Sequence, residues 1–347
     1  MTKVAPPALR ILYVGDGGDE ARLRQAVDAT GVPVAINFRI TRVSLGVATA
    51  RRHWRYLRMA LDAAKRGRGY DKVFIWQQYV ALYYFIITRL LPWTGRRYIV
   101  YYIIGKKRGG FFGRLAERLF TAMITRSEKT YFMSSADYLF RTMEDGPHRG
   151  RIEVLNGLDL TYPYIEAKRD LERIGSHVFS GGSGNRAYGD VAEIASALPD
   201  ERFVVACRPE DVAGVPLGGN VRVHHDAYGN RFADLILDAS LVVLPLADPD
   251  VMSGQLVCIQ AFAAGKTVLI SENNCLRDWI ATIDQLDFVT LYTSVAECVD
   301  HIRAFDPESA RAAGARARRF YENHLTDTGF YERLAAEIAK PLATAPQ

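Results

Sequence analysis

At 347 residues the chain exceeds the usual size of one domain, so two domains of roughly 150 residues each are expected. Its 49% apolar content is that of a packed soluble protein, but the net charge of +5 conceals an asymmetry: residues 1–160 hold 27 Lys and Arg against 13 Asp and Glu, net +14, whereas residues 161–347 carry a net −9. Cys207, Cys258, Cys275 and Cys298 are widely spaced with no CxxC pair, which argues against a zinc site or a disulfide framework and for buried reduced thiols.

The opening MTKVAPPALR has no apolar signal-peptide core, and the longest apolar stretch, residues 79–87, is far short of the roughly 20 that span a bilayer. A cytoplasmic protein is expected. A strand at 11–14 leads through a glycine loop, 15–20, into a helix running to about 29, the start of a doubly wound α/β sheet. Asp16 and Asp19 in that loop follow the strand's carboxyl end and are the best-placed carboxylates of the basic half for taking a proton; an aspartate there is also commonly a helix N-cap. Further strands fit 34–38, 73–77, 98–104, 129–133 and 152–155. Helices at 51–68 (RRHWRYLRMALDAAKRGR) and 79–97 are rich in Arg, Trp, Tyr and Leu, a composition suited to lying in an anionic membrane interface, although each alone also fits an ordinary surface or core helix. The turn Gly105-Lys106-Lys107-Arg108 is cationic and suited to a phosphate on an acceptor. A helix at 113–126 carries Leu115, Leu119, Ala122 and Met123 on one face, a core-facing pattern. No RNP strand or finger spacing is present, so nucleic acid is not an expected partner.

The periodicity breaks at 156–169, where Asn-Gly, Pro163 and a charged stretch form a seam. The second half then alternates strand 177–180, helix 190–198, strands 202–207 and 221–224, helix 231–237 and strand 241–246. HVFSGGSGNRAYGD (177–190) places a glycine-rich loop directly after a strand. Gly182 and Ser183 allow close backbone approach to a diphosphate, and Arg186 can pair with it, unless it is simply a solvated arginine in a connecting loop. The spacing is neither GxGxxG nor a P-loop, which disfavours a dinucleotide-dependent oxidoreductase or an NTPase. After strand 241–246, Ser253, Gly254 and Gln255 precede a helix at 256–264, so free N–H groups and a positive dipole end can face an anion. Gly265 stops that helix, a strand resumes at 267–270, and helices at 294–305, 307–323 and 329–340 complete the chain.

Four segments in this order resemble the GT-B glycosyltransferase superfamily, group 1 or family 4-like. They are residues 153–159 (EVLNGLD), similar to the family's "PNGVD" interdomain signature; the loop 179–190; residues 253–268, ending in the QAFAAGKTV variant of its "EAMA-G-PV" segment; and 318–334, similar to its terminal crossover helix. The resemblance implies two Rossmann-like doubly wound α/β domains facing each other across a cleft, with 1–160 as the acceptor side, 161–324 as the nucleotide-sugar side, and a helix from about 325 packing back on the first domain. It implies a sugar transfer from a UDP- or GDP-sugar, with the diphosphate on Gly182, Ser183, Arg186 and the Ser253-Gly254-Gln255 helix start, and Gln260 on the ribose. The donor is a substrate, and no cofactor or structural metal is implied. The family's pair of glutamates falls on Met252 and Gln260, so neither carboxylate is present. Inverting and retaining chemistry both stay open, with Asp16 or Asp19 as the base if one is needed. Charge and the aromatic helices point to a lipid-linked acceptor, a glycolipid or polyprenyl-diphosphate sugar of exopolysaccharide or cell-envelope synthesis. Lys106, Lys107 and Arg108 would meet its phosphate, with the protein peripheral on the inner face of the cytoplasmic membrane. The alternatives are a non-catalytic relative that binds sugar nucleotide or a partner enzyme, and a nucleotide-sugar epimerase.

Overall fold

Short runs of β-branched and aromatic residues, each closed by a glycine or polar turn and followed by an amphipathic stretch, build two six-stranded parallel sheets flanked by helices. The computed structural model describes residues 9–41, 49–91, 97–105, 107, 109–155, 162–168, 170, 174–279, 286–325 and 329–340. The chain divides into two units: Met1–Asn156 with Gly329–Gln347, and Gly157–Thr328. The seams expected from sequence lay at 160/161 and about 324/325.

In the first unit, strands β1 (Leu9–Gly15), β2 (Val34–Ile40), β3 (Lys72–Trp76), β4 (Arg97–Ile103), β5 (Lys129–Phe132) and β6 (Ile152–Val154) lie in the order β2-β1-β3-β4-β5-β6, so the winding direction reverses between β1 and β3. Every residue of β3 is buried, as expected for a central parallel strand covered on both faces. Helices α2 (Thr49–Arg66), α3 (Gln78–Leu90) and α4 (Gly110–Arg126) share one core with the sheet. Ala60, Ala63 and Ala64 keep α2 close to α3, while Val80, Tyr84, Phe120 and Met123 meet Val73, Ile75 and Val100. Helix α1 (Glu20–Ala29) packs instead against the terminal helix α13 (Phe330–Ala339), which buries Leu334, Ala335 and Ile338. Polar bonds fix α13 as well: the Tyr131 hydroxyl donates to Glu337, and the buried Lys72 ammonium donates to the Lys340 carbonyl (3.1 Å) while pairing with Glu128 (2.8 Å).

Two expectations change here. Helix α3 ends at Leu90 rather than 97, and residues 92–96 lie outside the described residues. Helix α4 starts three residues earlier than expected, and it buries Phe120, Met123 and Ile124, with Leu119 and Ala122 partly buried. Leu115, expected in the core, is exposed, because the sheet and α3 cover only the later turns of α4. A short helix α5 (Tyr138–Glu144), too brief to show periodicity, sits between β5 and β6.

In the second unit, a short α6 (Pro163–Lys168) precedes strands β7 (His177–Gly181), β8 (Phe203–Ala206), β9 (Val221–His224), β10 (Ala239–Leu244), β11 (Val268–Ser271) and β12 (Val289–Tyr292), in the order β12-β11-β10-β7-β8-β9. The reversal falls between β7 and β10. Helices α7 (Tyr188–Ala197), α8 (Asn230–Leu237), α9 (Gln255–Ala263), α10 (Asn274–Trp279), α11 (Val295–Arg303) and α12 (Pro307–His324) complete the unit. Strand β12 and helix α10, four and six residues long, carry too little pattern to be read from sequence. All four cysteines are buried and reduced. Among the described residues no helix is long and apolar enough to cross a membrane, and no group of three or more His, Cys, Asp or Glu side chains is placed to hold a metal ion.

Helix α12 braces α9, the helix that will matter most. Arg318, nearly fully buried, donates to the Ala263 carbonyl (3.1 Å) at the last turn of α9, where a cation complements the helix dipole, and pairs with Glu322 at 2.7 Å. One turn earlier, Gly314 passes so close that a Cβ would stand 2.1 Å from the Gly265 carbonyl oxygen. Alanine in a helix interior is ordinarily favoured over glycine by about 1 kcal/mol. Here the sign reverses: Gly314→Ala is expected to destabilise the second unit by roughly 1–3 kcal/mol through overpacking. Urea denaturation checks this, and an unchanged or raised midpoint would refute the contact.

Candidate functional site at the two sheet switch points

Open parallel sheets bind ligands beyond the carboxyl ends of the strands where the winding reverses. In the second unit that point is occupied by two loops, 181–187 after β7 and 245–254 after β10. The backbone of the first is held from outside by side chains, one carbonyl at a time. Arg186 donates through Nε to Gly181 O (2.9 Å) and through Nη1 to Gly184 O (2.6 Å), the Tyr188 hydroxyl donates to Gly182 O, and Arg208 Nη2 donates to Ser183 O (3.2 Å). Each of the four carbonyls from 181 to 184 is thereby engaged, and a trans peptide sets the N–H that follows each of them opposite its carbonyl. Gly182, at φ +109°, is required, because a Cβ there would meet the Arg186 guanidinium at 2.7 Å.

Asn185 joins the two loops. Its backbone is left-handed (φ +53°), a conformation asparagine tolerates, and its amide donates to Asp248 O (2.8 Å) and Ser253 Oγ (2.9 Å) while accepting from the Asp248 N–H (2.8 Å). An isolated bridge, Arg186 with Leu246, and the Ala187 N–H on Pro245 O (3.0 Å) extend the seam. From the far side, Ser271 accepts from the Leu246 N–H (2.6 Å), and the buried Asn273 donates to the carbonyls of Asp248 and Val251. The second loop is thereby fixed along its length and ends at Gly254, the left-handed N-cap of α9.

The structure therefore brings Gly182, Ser183, Arg186, Ser253 and Gly254 together around one strand-end crevice. Arg186 serves first as a strut: two of its N–H groups are spent on loop carbonyls, and burial pushes its pKa down. Gln255 is buried at the start of α9, whereas Gln260, half-buried, lies five residues further along the same helix. Met252 is buried, so the position where the family carries a carboxylate is here part of the packing. Asn185, Tyr188 and Arg208 escaped the sequence reading. Asparagine between glycine and arginine is a turn signal that could have found the first; the reach of Arg208 from the end of β8 has no local signature.

In the first unit the corresponding point lies between β1 and β3. Asp16 is half-buried at the end of β1 and accepts a hydrogen bond from the Tyr56 hydroxyl (2.9 Å) on α2. Burial raises the Asp16 carboxyl above the usual carboxylate range, with the Tyr56 bond and the nearby Arg52 pulling it partly back. Around it stand Tyr79, ring-stacked on Tyr56, and His53, whose ring meets Tyr79 edge-on at 4.8 Å and whose Nδ1 lies 2.9 Å from the Tyr83 hydroxyl. Asp19 is different: it is the exposed N-cap of α1, accepting from the Arg22 N–H at 3.1 Å, while its own N–H donates to the Tyr331 hydroxyl at 3.0 Å. Of the expected cationic turn, Lys107 is exposed, and Lys106 and Arg108 lie outside the described residues. Gly105, which opens the turn, donates its N–H to the buried carboxylate of Asp137 at 2.6 Å.

The chain resembles solved structures over nearly its whole length. Anabaena HepE in complex with UDP and glucose superposes at a TM-score of 0.62 and 12% identity, covering 96% of this chain and 100% of that one. HepE in complex with UDP-glucose gives 0.59 at 13% identity (95% and 98% covered), and an α,α-trehalose-phosphate synthase (UDP-forming) from Burkholderia vietnamiensis gives 0.59 at 10% identity (96% and 99%). No family model and no curated protein matches the chain. At these identities the likeness establishes the fold: two doubly wound α/β units of the GT-B glycosyltransferase type, as the sequence motifs implied.

Asp137 gives the first unit a pH signature. Its carboxylate caps α5 through the Leu139 N–H (2.9 Å) and holds Gly105, yet burial pushes its pKa up to about 6. A carboxyl raised on folding contributes stability that is present below its unfolded value near 4 and lost as pH rises through about 6. The stability difference between the wild type and Asp137→Asn is expected to shrink by roughly 2 kcal/mol between pH 4 and pH 6.5. Urea melts at intermediate pH values check it, and a constant difference would remove Asp137 from the account.

Proposed function

We propose that the chain is a glycosyltransferase that takes a sugar from a nucleoside-diphosphate sugar, UDP-linked, and passes it to a hydroxyl of a lipid-linked glycan acceptor. One observation carries the donor half: four successive carbonyls, 181–184, pinned by Arg186, Tyr188 and Arg208 at the switch point of the second unit. Diphosphate oxygens would lie on the amides of Ser183, Gly184 and Asn185, with the first turn of α9 behind Gly254 adding its dipole. The same groups stabilise charge that builds on the departing diphosphate as the bond to the sugar breaks. Gln260 is read as the ribose contact, a neutral amide in place of a carboxylate. The choice of UDP over GDP draws on the ligands named for HepE and the reaction named for the trehalose-phosphate synthase. The sugar nucleotide is a substrate, and the reading includes no resident cofactor or metal.

Asp16 is the base of this reading. As the acceptor oxygen attacks the anomeric carbon, its proton passes to the Asp16 carboxylate, whose raised pKa makes it a better proton acceptor than an exposed aspartate. Asp19, spent on its helix, drops out of that role. The acceptor side rests on the basic first unit, with exposed Arg51, Trp54 and Arg58 on α2 and Lys107 beyond β4, a surface suited to phosphate and headgroup contact. The protein would then work as a peripheral enzyme on the inner face of the cytoplasmic membrane, in exopolysaccharide or cell-envelope synthesis.

Titration calorimetry with UDP is expected to show binding that Asn185→Ala weakens tenfold or more and that Gly182→Ala abolishes, with circular dichroism unchanged; no binding of UDP, GDP or their sugars would end the donor assignment. With an active donor and acceptor pair, Asp16→Asn should lower kcat by about 10²–10⁴ while leaving UDP affinity intact. In Tyr56→Phe, loss of the hydrogen bond to the carboxylate should move the acid limb of the kcat profile to higher pH. Wild-type kcat in Asp16→Asn would exclude it as the base.

A further inference from the structure

Folded proteins seldom leave adjacent aromatic side chains in water without a use for them. At the first turn of α4, Phe111 is 70% exposed, Phe112 81% and Leu115 45%, and the two phenyl rings touch only edge to face, centroids 5.5 Å apart. Positions 111, 112 and 115 fall on one side of the helix start. The side chains around them are basic: Arg114 and Arg118 are exposed on the same helix, and Lys107 is exposed in the turn just before it. The neighbouring acid, Glu117, is turned aside and accepts from the Tyr138 hydroxyl at 2.8 Å.

We infer that the start of α4 is a membrane wedge, in which Phe111, Phe112 and Leu115 enter the acyl boundary of an anionic bilayer while Lys107, Arg114 and Arg118 sit on lipid phosphates. The inference rests on the reading of the first unit as the acceptor side. Charge complementarity selects the occupant: an apolar tip ringed by cations matches a layer whose interior is hydrocarbon and whose surface is anionic. Position adds to it. Helices α2 and α4 both pack on α3 and both start from the carboxyl edge of the sheet, the edge that carries Asp16. Trp54, 59% exposed in the second turn of α2 between exposed Arg51 and Arg58, therefore belongs to the same end of the helical layer as the phenylalanines. An aromatic ring at headgroup depth beside a deeper phenylalanine pair would hold that edge of the sheet toward the bilayer. A lipid-linked hydroxyl would then reach Asp16 without leaving the surface.

Flotation of the full chain with phosphatidylcholine vesicles, with and without 30% (about one lipid in three) phosphatidylglycerol, tests this. Wild type is expected to float with the anionic vesicles, less so at high salt. Phe111→Ser/Phe112→Ser should cut that partition tenfold or more, and Arg114→Gln/Arg118→Gln should cut it on anionic vesicles only. Equal partition of the phenylalanine variant and wild type would overturn the inference. So would absence of wild-type binding, including the case in which wild type is a dimer that the variant turns into a monomer, since a second copy would then cover the face. As an independent readout, Phe112→Trp should blue-shift its added emission when anionic vesicles are present, and no shift would count against insertion. UDP titration separates the two readings: partition without UDP binding would sink the donor assignment and leave the wedge standing, whereas UDP binding without partition would do the reverse.

Discussion

The second unit depends on fixing the backbone of a glycine-rich loop, 181–187, through hydrogen bonds to its carbonyls. A glycine-rich segment left to itself samples many conformations, and the entropy of fixing it works against any ligand that needs it ordered. Here the cost is met before a ligand arrives. Carbonyls 181–184 each accept a hydrogen bond from a side chain, two from Arg186 and one each from Tyr188 and Arg208, and Asn185 ties the end of the loop to Asp248 and Ser253. The next loop is in turn held by Ser271 and Asn273 from the neighbouring strand end. Helix α9 carries the last of these constraints, and α12 fixes it through Arg318 and the close passage of Gly314 past Gly265. The order of the loop is thus set by a chain of contacts reaching back to the C-terminal helices of the unit.

The first unit solves a different problem, that of holding a carboxyl group half out of water without burying an unpaired charge. Asp16 keeps one hydroxyl partner, Tyr56, and the charge of Arg52, which limit how far burial can raise its pKa. The aromatic packing of Tyr56, Tyr79 and His53 that supports this arrangement draws on α2 and α3, whose close approach depends on Ala60, Ala63 and Ala64. On the opposite side of the sheet, α13 returns from the end of the chain to cover α1, with the buried Lys72 satisfied by Glu128 and a carbonyl of that returning segment. The apolar face of α13, with Leu334, Ala335 and Ile338 buried against α1, and the Lys340 carbonyl on the Lys72 ammonium place this C-terminal segment in the N-terminal unit.

Much of the architecture was legible in the chain, for physical reasons. The central strands β3 and β10 are apolar over 73–76 and 241–244, as burial on both faces demands, and Gly182 and Gly265 stand where the backbone turns beyond what a side chain allows. The segments missed or misplaced lacked that signal. Strand β12 spans two strand periods and helix α10 less than two helical turns, too few repeats to stand out, and α4 was assigned a core face at Leu115 because periodicity shows a stripe but not which turns of it are covered. The candidate site was legible in part. Spacing after β7 and before α9 pointed to the two loops that meet at the switch point, but it gave no sign that Arg186 donates to carbonyls of its own loop or that Arg208 arrives from the end of another strand. Asp16 and Asp19 looked equivalent in sequence; only the hydrogen-bond partners separate a helix cap from a poised carboxyl group.

The electrostatics of the two halves bear on how an anionic donor can be accommodated at all. Residues 161–347 carry a net −9, which would repel a nucleoside diphosphate at long range. At the loops themselves the balance differs. The contacts that fix residues 245–254 come from neutral side chains, Asn185, Ser271 and Asn273, and Asp250 accepts from the Asn274 amide at 3.0 Å. Where the family carries two carboxylates this chain has a buried methionine and a half-buried glutamine. Surface charges beyond about 8 Å are screened at physiological salt, so the groups beside the loops weigh more than the net charge of the half. Beside the loops, Arg186 donates to carbonyls of its own segment, and Arg208 is paired with Asp211 (2.8 Å) and Glu210 (3.3 Å), so its charge is offset on the spot. Met252 just before α9 and Gln260 within it are neutral and add nothing to the net −9 of this half of the chain.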